Sequence, residues 1–278
     1  MKSVIIKPKN KILEKYVQYF LFFRKADNHF LNYTTFPNSN LCLAIYKENK
    51  INYIYGSANN TCLITPGRAN FISRLYGFHK MPFNVTINGD LDQVCIIFYP
   101  GALRSFTQES YDDLMRSDSV FNLFSNKASD ILEQLFDETD FSVRANQLES
   151  VLLANLNYNL PVKLEEALYL IPTYAASNLT VEALAKKMEI SAPSLFRLFK
   201  NHLGQNPKSY LRTLRFRNVL DEIRNRQVPL TDITYSNQYY DQAHFIHDFK
   251  SFSGYAPGQL IDKISVQQNH LAWIYNKK

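Results

Sequence analysis

The sequence predicts an α+β chain: an antiparallel β-barrel with flanking helices, followed by an all-α section of two helix-turn-helix units joined by a long helix. Three observations lead there. Short apolar runs alternate with turn residues up to about residue 110, and helical periodicity takes over beyond Asp112. The last third then repeats itself at a period of about fifty residues.

The strand runs are rich in β-branched and aromatic residues. They are Leu41 to Tyr46, Ile51 to Tyr55, Cys62 to Ile64, Val85 to Ile87 and Val94 to Phe98. Pro37-Asn38-Ser39-Asn40, Gly56 to Asn60, Pro66-Gly67 and Asn88-Gly89-Asp90 separate them as turns. Many short strands at near-regular spacing fit a barrel or sandwich. Cys42, Cys62 and Cys95 fall singly inside these runs, without the paired spacing of a disulfide framework or zinc site, and suit small buried hydrophobes.

From Asp112 to Leu160 apolar residues recur at three and four, as in Ala128 to Phe136. In Val143 to Leu156 the residues Leu148, Val151, Leu152 and Leu156 share one face. These helices can pack on the barrel or on a second subunit, and packing within the chain is the default. Pro161, at a helix-N1-like position, marks a boundary between a section at 1–160 and a helical section at 161–278. The tail after Leu260 is expected to finish one more helix and then fray.

The repeat is the most informative feature. Thr180 is a good N-cap for a helix whose stripe is Val181, Leu184, Ala185 and Met188. After a break at Glu189-Ile190, Ser191 caps a second helix with Pro193 in its first turn and Leu195, Leu198 and Phe199 inward. The pattern recurs at Leu230 to Tyr235, the break Asn237 to Tyr240, and a helix capped by Asp241. Phe245, Phe249 and Lys250 then stand where Leu195, Phe199 and Lys200 stood, and Gly254…Pro257 echoes Gly204…Pro207. A helix from Lys208 to Arg226, with Leu211, Leu214, Val219 and Ile223 inward, joins the units. Two reading helices that enter successive major grooves on one face of DNA must lie about 34 Å apart, and such a rod can hold them there.

Charge agrees. The net charge is +6, and Lys186 to Arg226 holds ten Lys/Arg against three acids, which favours a polyanionic partner over a solvated basic surface. No window approaches the roughly 20 apolar residues of a membrane span. The N-terminal residues lack the apolar core of a signal peptide, so a cytoplasmic location is expected.

The section from Pro161 to Leu260 resembles the DNA-binding domain of the AraC/XylS family of bacterial regulators. The residues that carry the resemblance are Ser191…Leu195…Arg197…Phe199-Lys200, Gly204…Pro207…Tyr210-Leu211, Arg215, and Tyr240 to Phe245 with Phe249-Lys250…Gly254…Pro257. The resemblance implies base reading by Ala192, Pro193, Phe196 and Arg197 in the first unit and by Gln242, Ala243, Ile246 and His247 in the second. A guanidinium at Arg197 can bond guanine bidentately, and Gln242 can pair with adenine. Ser191, Ser194, Lys200, Arg215, Arg217, His244 and Lys250 are expected at phosphates. For Arg215 an ion pair with Asp221 or Asp248 is an equal alternative. The sequence departs from the family where Glu189 and Gln238 replace a customary glycine and where His247 replaces a frequent arginine.

Phe36-Pro37-Asn38-Ser39-Asn40-Leu41, Thr65-Pro66-Gly67 and Phe98-Tyr99-Pro100-Gly101-Ala102 resemble cupin-like sensor domains found in part of the family. That implies a barrel pocket for a small effector. The dense aromatics Tyr33, Phe36, Tyr46, Tyr53, Tyr55, Phe71, Tyr76, Phe78, Phe83, Phe98 and Tyr99 could line such a pocket or simply fill a core. Arg68 and Arg74 could meet an anionic ligand or be plain surface. Two histidines in this half, His29 and His79, are too few for a cupin metal site, and no catalytic motif is present. An enzyme is not expected, nor a cofactor or metal. The expected partners are double-stranded DNA, a possible effector, a second copy of the chain, and RNA polymerase should it activate. The rival reading is a protein-binding, anti-activator-like module whose reading helices have lost DNA.

Overall fold

The computed structural model describes residues 2–27, 29–56, 59–173, 179–224, 229–261, 265–266 and 272–275. Seven strands occupy the first hundred residues: β1 (Lys2–Ile6), β2 (Val17–Lys25), β3 (Leu31–Thr35), β4 (Leu41–Tyr55), β5 (Asn60–Tyr76), β6 (Phe83–Ile87) and β7 (Leu91–Phe98). Helices follow: α1 (Tyr111–Arg116), α2 (Ala128–Asp137), α3 (Phe141–Ala154), α4 (Val162–Thr173), α5 (Val181–Lys187), α6 (Ala192–Leu203), α7 (Pro207–Arg224), α8 (Leu230–Ser236), α9 (Gln242–Ser253) and α10 (Pro257–Ile261). Two short strands, β8 (Ser265–Val266) and β9 (Ala272–Tyr275), close the order. No helix among the described residues is long and apolar enough to cross a membrane.

The described strands form one sheet in the order β1-β2-β7-β4-β5-β6-β3-β9-β8. Tyr19 and Leu21 on β2 share a buried cluster with Tyr33 on β3, five places away in that order, so the sheet curls round a common interior. Among the described residues its end strands do not pair, so the expected barrel takes the form of a curled half-barrel. One pairing, β5 with β6, is parallel, another departure from an all-antiparallel barrel.

The parallel pair has a geometric cause. Asn60 at the start of β5 faces Phe83 at the start of β6. The connection over residues 77–82 reaches roughly 25 Å, whereas a straight β5 would run roughly 50 Å. The strand therefore bends, and it does so where the β4–β5 register jumps from Lys47↔Phe71 to Asn49↔Pro66. The expected Pro66-Gly67 turn is this bulge. A Cβ on Gly67 would lie 2.6 Å from the Asn49 carbonyl carbon, so only glycine fits the crossing.

Both faces of the sheet are covered. Tyr19, Leu21 and Phe23 point into the interior, while Phe20 and Phe22 point outward beneath α1, α2 and α3. The continuous apolar runs Leu41 to Tyr46 and Val94 to Phe98 follow from this, since alternate residues meet different but equally apolar surroundings. Helix α3 is fixed by Arg144, fully buried, which pairs with Asp92 of β7 at 2.6 and 2.9 Å and donates to the Phe136 and Glu138 carbonyls. This helix turns its Leu148 and Leu152 inward, as the packing default requires.

The helical section has two cores. Leu184, Met188, Leu195, Phe199 and Tyr210 form one, and Phe216, Val219, Leu220, Ile233, Phe245 and Phe249 the other. Val219 and Ile223 are buried on α7 as expected, but Leu211 and Leu214 are only half-buried, and Phe216 and Leu220 take the central places. Pro161 lies just before α4 and accepts from Leu164 and Glu165, so it caps the helix from outside rather than starting it. Residues 225–228, which include the expected helix end at Arg226, lie outside the described residues, as do 267–270 and 276–278.

The helix expected to finish beyond Leu260 is α10, ending at Ile261, but where fraying was expected β9 pairs with β3 through Thr35↔Trp273 and Tyr33↔Tyr275. A run of Trp273-Ile274-Tyr275 has high strand propensity, and β3 offers an edge to receive it. Other contacts join the two halves. Phe36, just beyond β3, sits in the second helical core against Phe216, with ring centroids 6.2 Å apart. The Tyr111 hydroxyl donates to the His202 carbonyl at 2.7 Å. Replacing Phe36 by alanine should lower stability by about 3–5 kcal/mol in urea unfolding followed by circular dichroism, because the ring fills a closed core.

Candidate nucleic-acid interface

Each reading helix is positioned by a cap at its start and a core stripe behind it. Thr180 accepts from the Ala183 amide at 3.1 Å and starts α5. Ser191 accepts from the Ser194 amide at 3.2 Å and starts α6, with Pro193 in the first turn. Asp241 does the same for α9 through the His244 amide at 2.7 Å. Leu195 and Phe199 bury one stripe of α6, and Phe245 and Phe249 the equivalent stripe of α9. Both helices end on left-handed glycines, Gly204 and Gly254, whose amides return to the Lys200 and Lys250 carbonyls.

The turns hold the two non-glycine departures in the left-handed region. Glu189 has φ 54° and Gln238 φ 58°. A side chain there costs roughly 1–2 kcal/mol per residue. The adjoining amides offset part of that: Ile190 donates to the Ala185 carbonyl and Tyr239 to the Thr234 carbonyl, closing the preceding helices.

The residues expected to read bases lie at the surface of α6 and α9 to different degrees. In α6, Pro193, Phe196 and Arg197 are exposed, Ala192 is half-buried, and Arg197 donates to the Ser194 hydroxyl at 3.3 Å. In α9, Gln242, Ala243, Ile246 and His247 are exposed. Among the residues expected at phosphates, Ser191, Lys200, His244 and Lys250 are exposed and Ser194 is half-buried. Lys200 reaches back to the Gly204 carbonyl.

The arginines of α7 divide. Arg215 lies over the Tyr239 ring at 5.3 Å and lines a cleft between the units with Lys208, His244 and His247. The ion pair offered as an alternative for Arg215 is made instead by Arg212, which binds the buried carboxylate of Asp248. This pair ties α9 to α7. Arg217 is two residues beyond Arg215, hence on the far side of the helix. There its charge acts on the Tyr19 hydroxyl in the sheet, opposing the burial that dominates and raises that group's pKa.

Sequence reasoning missed Tyr240 and Arg212. Tyr240 is 91% exposed beside the start of α9, and an aromatic next to a cap gives no periodic signal. Arg212 differs from its neighbours only in angular position on α7, which a basic run does not reveal.

Two capped helical pairs, set on one connecting helix with their second helices facing outward, define a tandem helix-turn-helix domain. Residues 184–263 match a family model described as a helix-turn-helix domain, and residues 5–119 one described as a domain of unknown function, DUF6597. The transcriptional activator RhaS of Escherichia fergusonii is 26% identical over 139 residues, 46% of this chain and 50% of that protein. The lactose operon transcription activator of Staphylococcus xylosus is 26% identical over 135 residues, 42% and 48% of the two chains. This chain spans about half the length of these curated relatives. Among solved structures, the C-terminal domain of AraT, a response regulator from Geobacillus stearothermophilus, is 25% identical, covers 41% of this chain and 96% of its own, and has a TM-score of 0.36. ToxT from Vibrio cholerae is 12% identical, covers 87% and 97%, and has a TM-score of 0.43. Through its helical section the chain carries a helix-turn-helix domain and is similar there to curated transcription activators.

Asp248→Ala should lower stability by about 1–3 kcal/mol, since the loss exposes an unpaired partner but Arg212 is partly solvated. Hydrogen exchange should quicken in α9 before α6. Glu189→Gly and Gln238→Gly should each change stability by no more than about 1 kcal/mol, in the stabilising direction, in thermal unfolding.

Proposed function

We propose that this chain is a sequence-specific DNA-binding transcriptional regulator, with a sensor half at 1–160 and a DNA-binding domain at 161–278. The carrying observation is the paired arrangement of α6 and α9, each with its outward residues next to cationic groups. Arg197 is the principal base reader, through a bidentate contact to guanine, and Gln242 the corresponding one in the second unit. Ala192, Pro193, Phe196, Ala243, Ile246 and His247 complete the reading surfaces, with apolar members suited to thymine methyls. Ser191, Ser194, Lys200, Arg215, His244 and Lys250 hold the phosphates, and Tyr240 joins them from the cap of α9. Arg217 is left to the junction with the sheet.

The curled sheet supports an effector reading. Its interior holds a cavity of about 230 Å³ lined by Tyr33, Phe36, Tyr46, Tyr53, Tyr76 and Phe83 among others. Phe71, Phe78 and Phe98 instead pack under the helices, so the aromatic surplus serves both a cavity and a core. A homodimer on paired DNA sites is the expected assembly, and RNA polymerase the further partner of an activator.

The exposed Phe196 and Ile246 give the rival, protein-binding reading its one observation. Titration of the full chain against DNA upstream of its own gene, at two salt concentrations, separates the readings. The regulator binds one fragment against competitor DNA, with log K falling about 0.9 per phosphate contact in log salt. Arg197→Ala should weaken that binding roughly 5- to 150-fold while leaving stability within about 0.5 kcal/mol. Weak binding, equal on every fragment and indifferent to Arg197, would overturn the proposal in favour of a protein partner.

A further inference from the structure

The cavity in the curled sheet has a composition that selects among ligands. Its walls come from the inward residues of β2, β3, β4, β5, β6 and β7, and they are mostly aromatic rings, aliphatic groups and the three thiols Cys42, Cys62 and Cys95. Among the described residues no Asp or Glu lines it, so a cationic ligand would find no counter-charge from them there. The guanidinium of Arg74 is already committed, paired with Asp118 and lying 4.9 Å over the Tyr53 ring.

The amide of Gln93 in this wall is unsatisfied. Gln93, 95% buried on β7, donates Nε2–H to the Cys95 sulfur at 3.3 Å, a weak acceptor, and its Oε1 has no partner in the protein. Exchanging the amide's oxygen and nitrogen leaves an unpartnered N–H instead. A hydroxyl satisfies either orientation, because it both donates and accepts. Nearby on the same wall, the Tyr46 and Tyr76 hydroxyls bond each other at 2.9 Å. Among the described residues the thiols are not grouped with the further His, Cys, Asp or Glu that a metal site needs, and burial pushes Cys62 up to about 12 while Cys95 rises through its contact with Cys42 and through burial, so in the free protein both are protonated.

Size sets the remaining limit. An apolar cavity of about 150 Å³ holds benzene, so one of 230 Å³ admits about nine non-hydrogen atoms. That is a single ring with two or three substituent atoms.

We propose that the cavity binds an uncharged single-ring hydroxyaromatic compound, with its hydroxyl on the Gln93 amide and its ring among Tyr33, Tyr53 and Phe83. The proposal rests on the reading of the cavity as a ligand site and adds the ligand's class. Full-length protein is titrated calorimetrically with 4-methylphenol, toluene, benzylamine and cyclohexanol. 4-Methylphenol binds at least tenfold more tightly than toluene, and benzylamine more weakly than either. Gln93→Leu, and Gln93→Met as a second apolar replacement, retain toluene binding and bring the 4-methylphenol to toluene ratio below threefold. Retained toluene binding also reports that the variant cavity is folded.

Equal binding of 4-methylphenol and toluene by the unmodified protein overturns the proposal, as does a ratio unmoved by both Gln93 variants. A preference for benzylamine or cyclohexanol overturns the class while leaving the cavity a ligand site. No binding of any probe at millimolar concentration overturns both. The DNA titration is run without probes, so its outcome is independent of all of these.

Discussion

The ring of Phe36 is the contact on which the arrangement of the two halves turns. It belongs to the sheet section by sequence and to the second helical core by burial, and it also lines the cavity. Behind it Phe216, Phe249 and Phe245 follow in contact, with centroid separations of 6.2, 5.3 and 6.0 Å. The last two rings are the buried stripe of α9. The wall of the cavity and the back of the second reading helix are therefore separated by packed rings alone. Interiors packed at crystal density have low compressibility and pass displacements on rather than absorbing them. The first unit is attached differently, through the Tyr111 hydroxyl on His202 and the seat of Gly204 against Phe78 and Tyr111.

This asymmetry bears on how much of the molecule could be read from sequence. Local rules are strong at caps, and Thr180, Ser191 and Asp241 all cap as their types and positions require. The repeat was legible because each unit buries the same stripe on the same scaffold, so that Leu195 and Phe245 answer one packing problem. The division of the α7 arginines was not. Arg212, Arg215 and Arg217 are one residue type within one helix, and only the azimuth of each side chain decides among an ion pair, a cleft and the sheet.

Strand topology was less legible for a related reason. Apolar runs covered on both faces carry no alternation, so Leu41 to Tyr46 and Val94 to Phe98 announce strands without revealing which residues face the cavity. The bend at residues 67–70 presents Pro66-Gly67, which reads locally as a turn between strands. Non-local pairing alone shows that β5 continues through it. The strand in the tail was hidden for a like reason. Three residues of strand propensity are too few to outweigh a helical context until the edge of β3 is known to be open to them.

Magnitudes also limit what one chain's reading helices can do. A good bidentate contact discriminates by about 1–3 kcal/mol, so on the proposed reading one at Arg197 and one at Gln242 would supply about 2–6 kcal/mol. Specific binding exceeds non-specific binding by about 4–10 kcal/mol. The remaining outward groups are small, apolar or imidazole, and can add methyl contacts but little bidentate discrimination. Wherever the two contacts fall short of that range, the remainder comes from elsewhere: a second chain doubling the contacts on a paired site, or the deformability of the DNA between the two reading helices. In the second case the spacing of α6 and α9 matters as much as their side chains. That spacing is held by α7, the Arg212–Asp248 pair and the Phe36 ring, so the groups that give rigidity are as much a part of recognition as those that meet the bases.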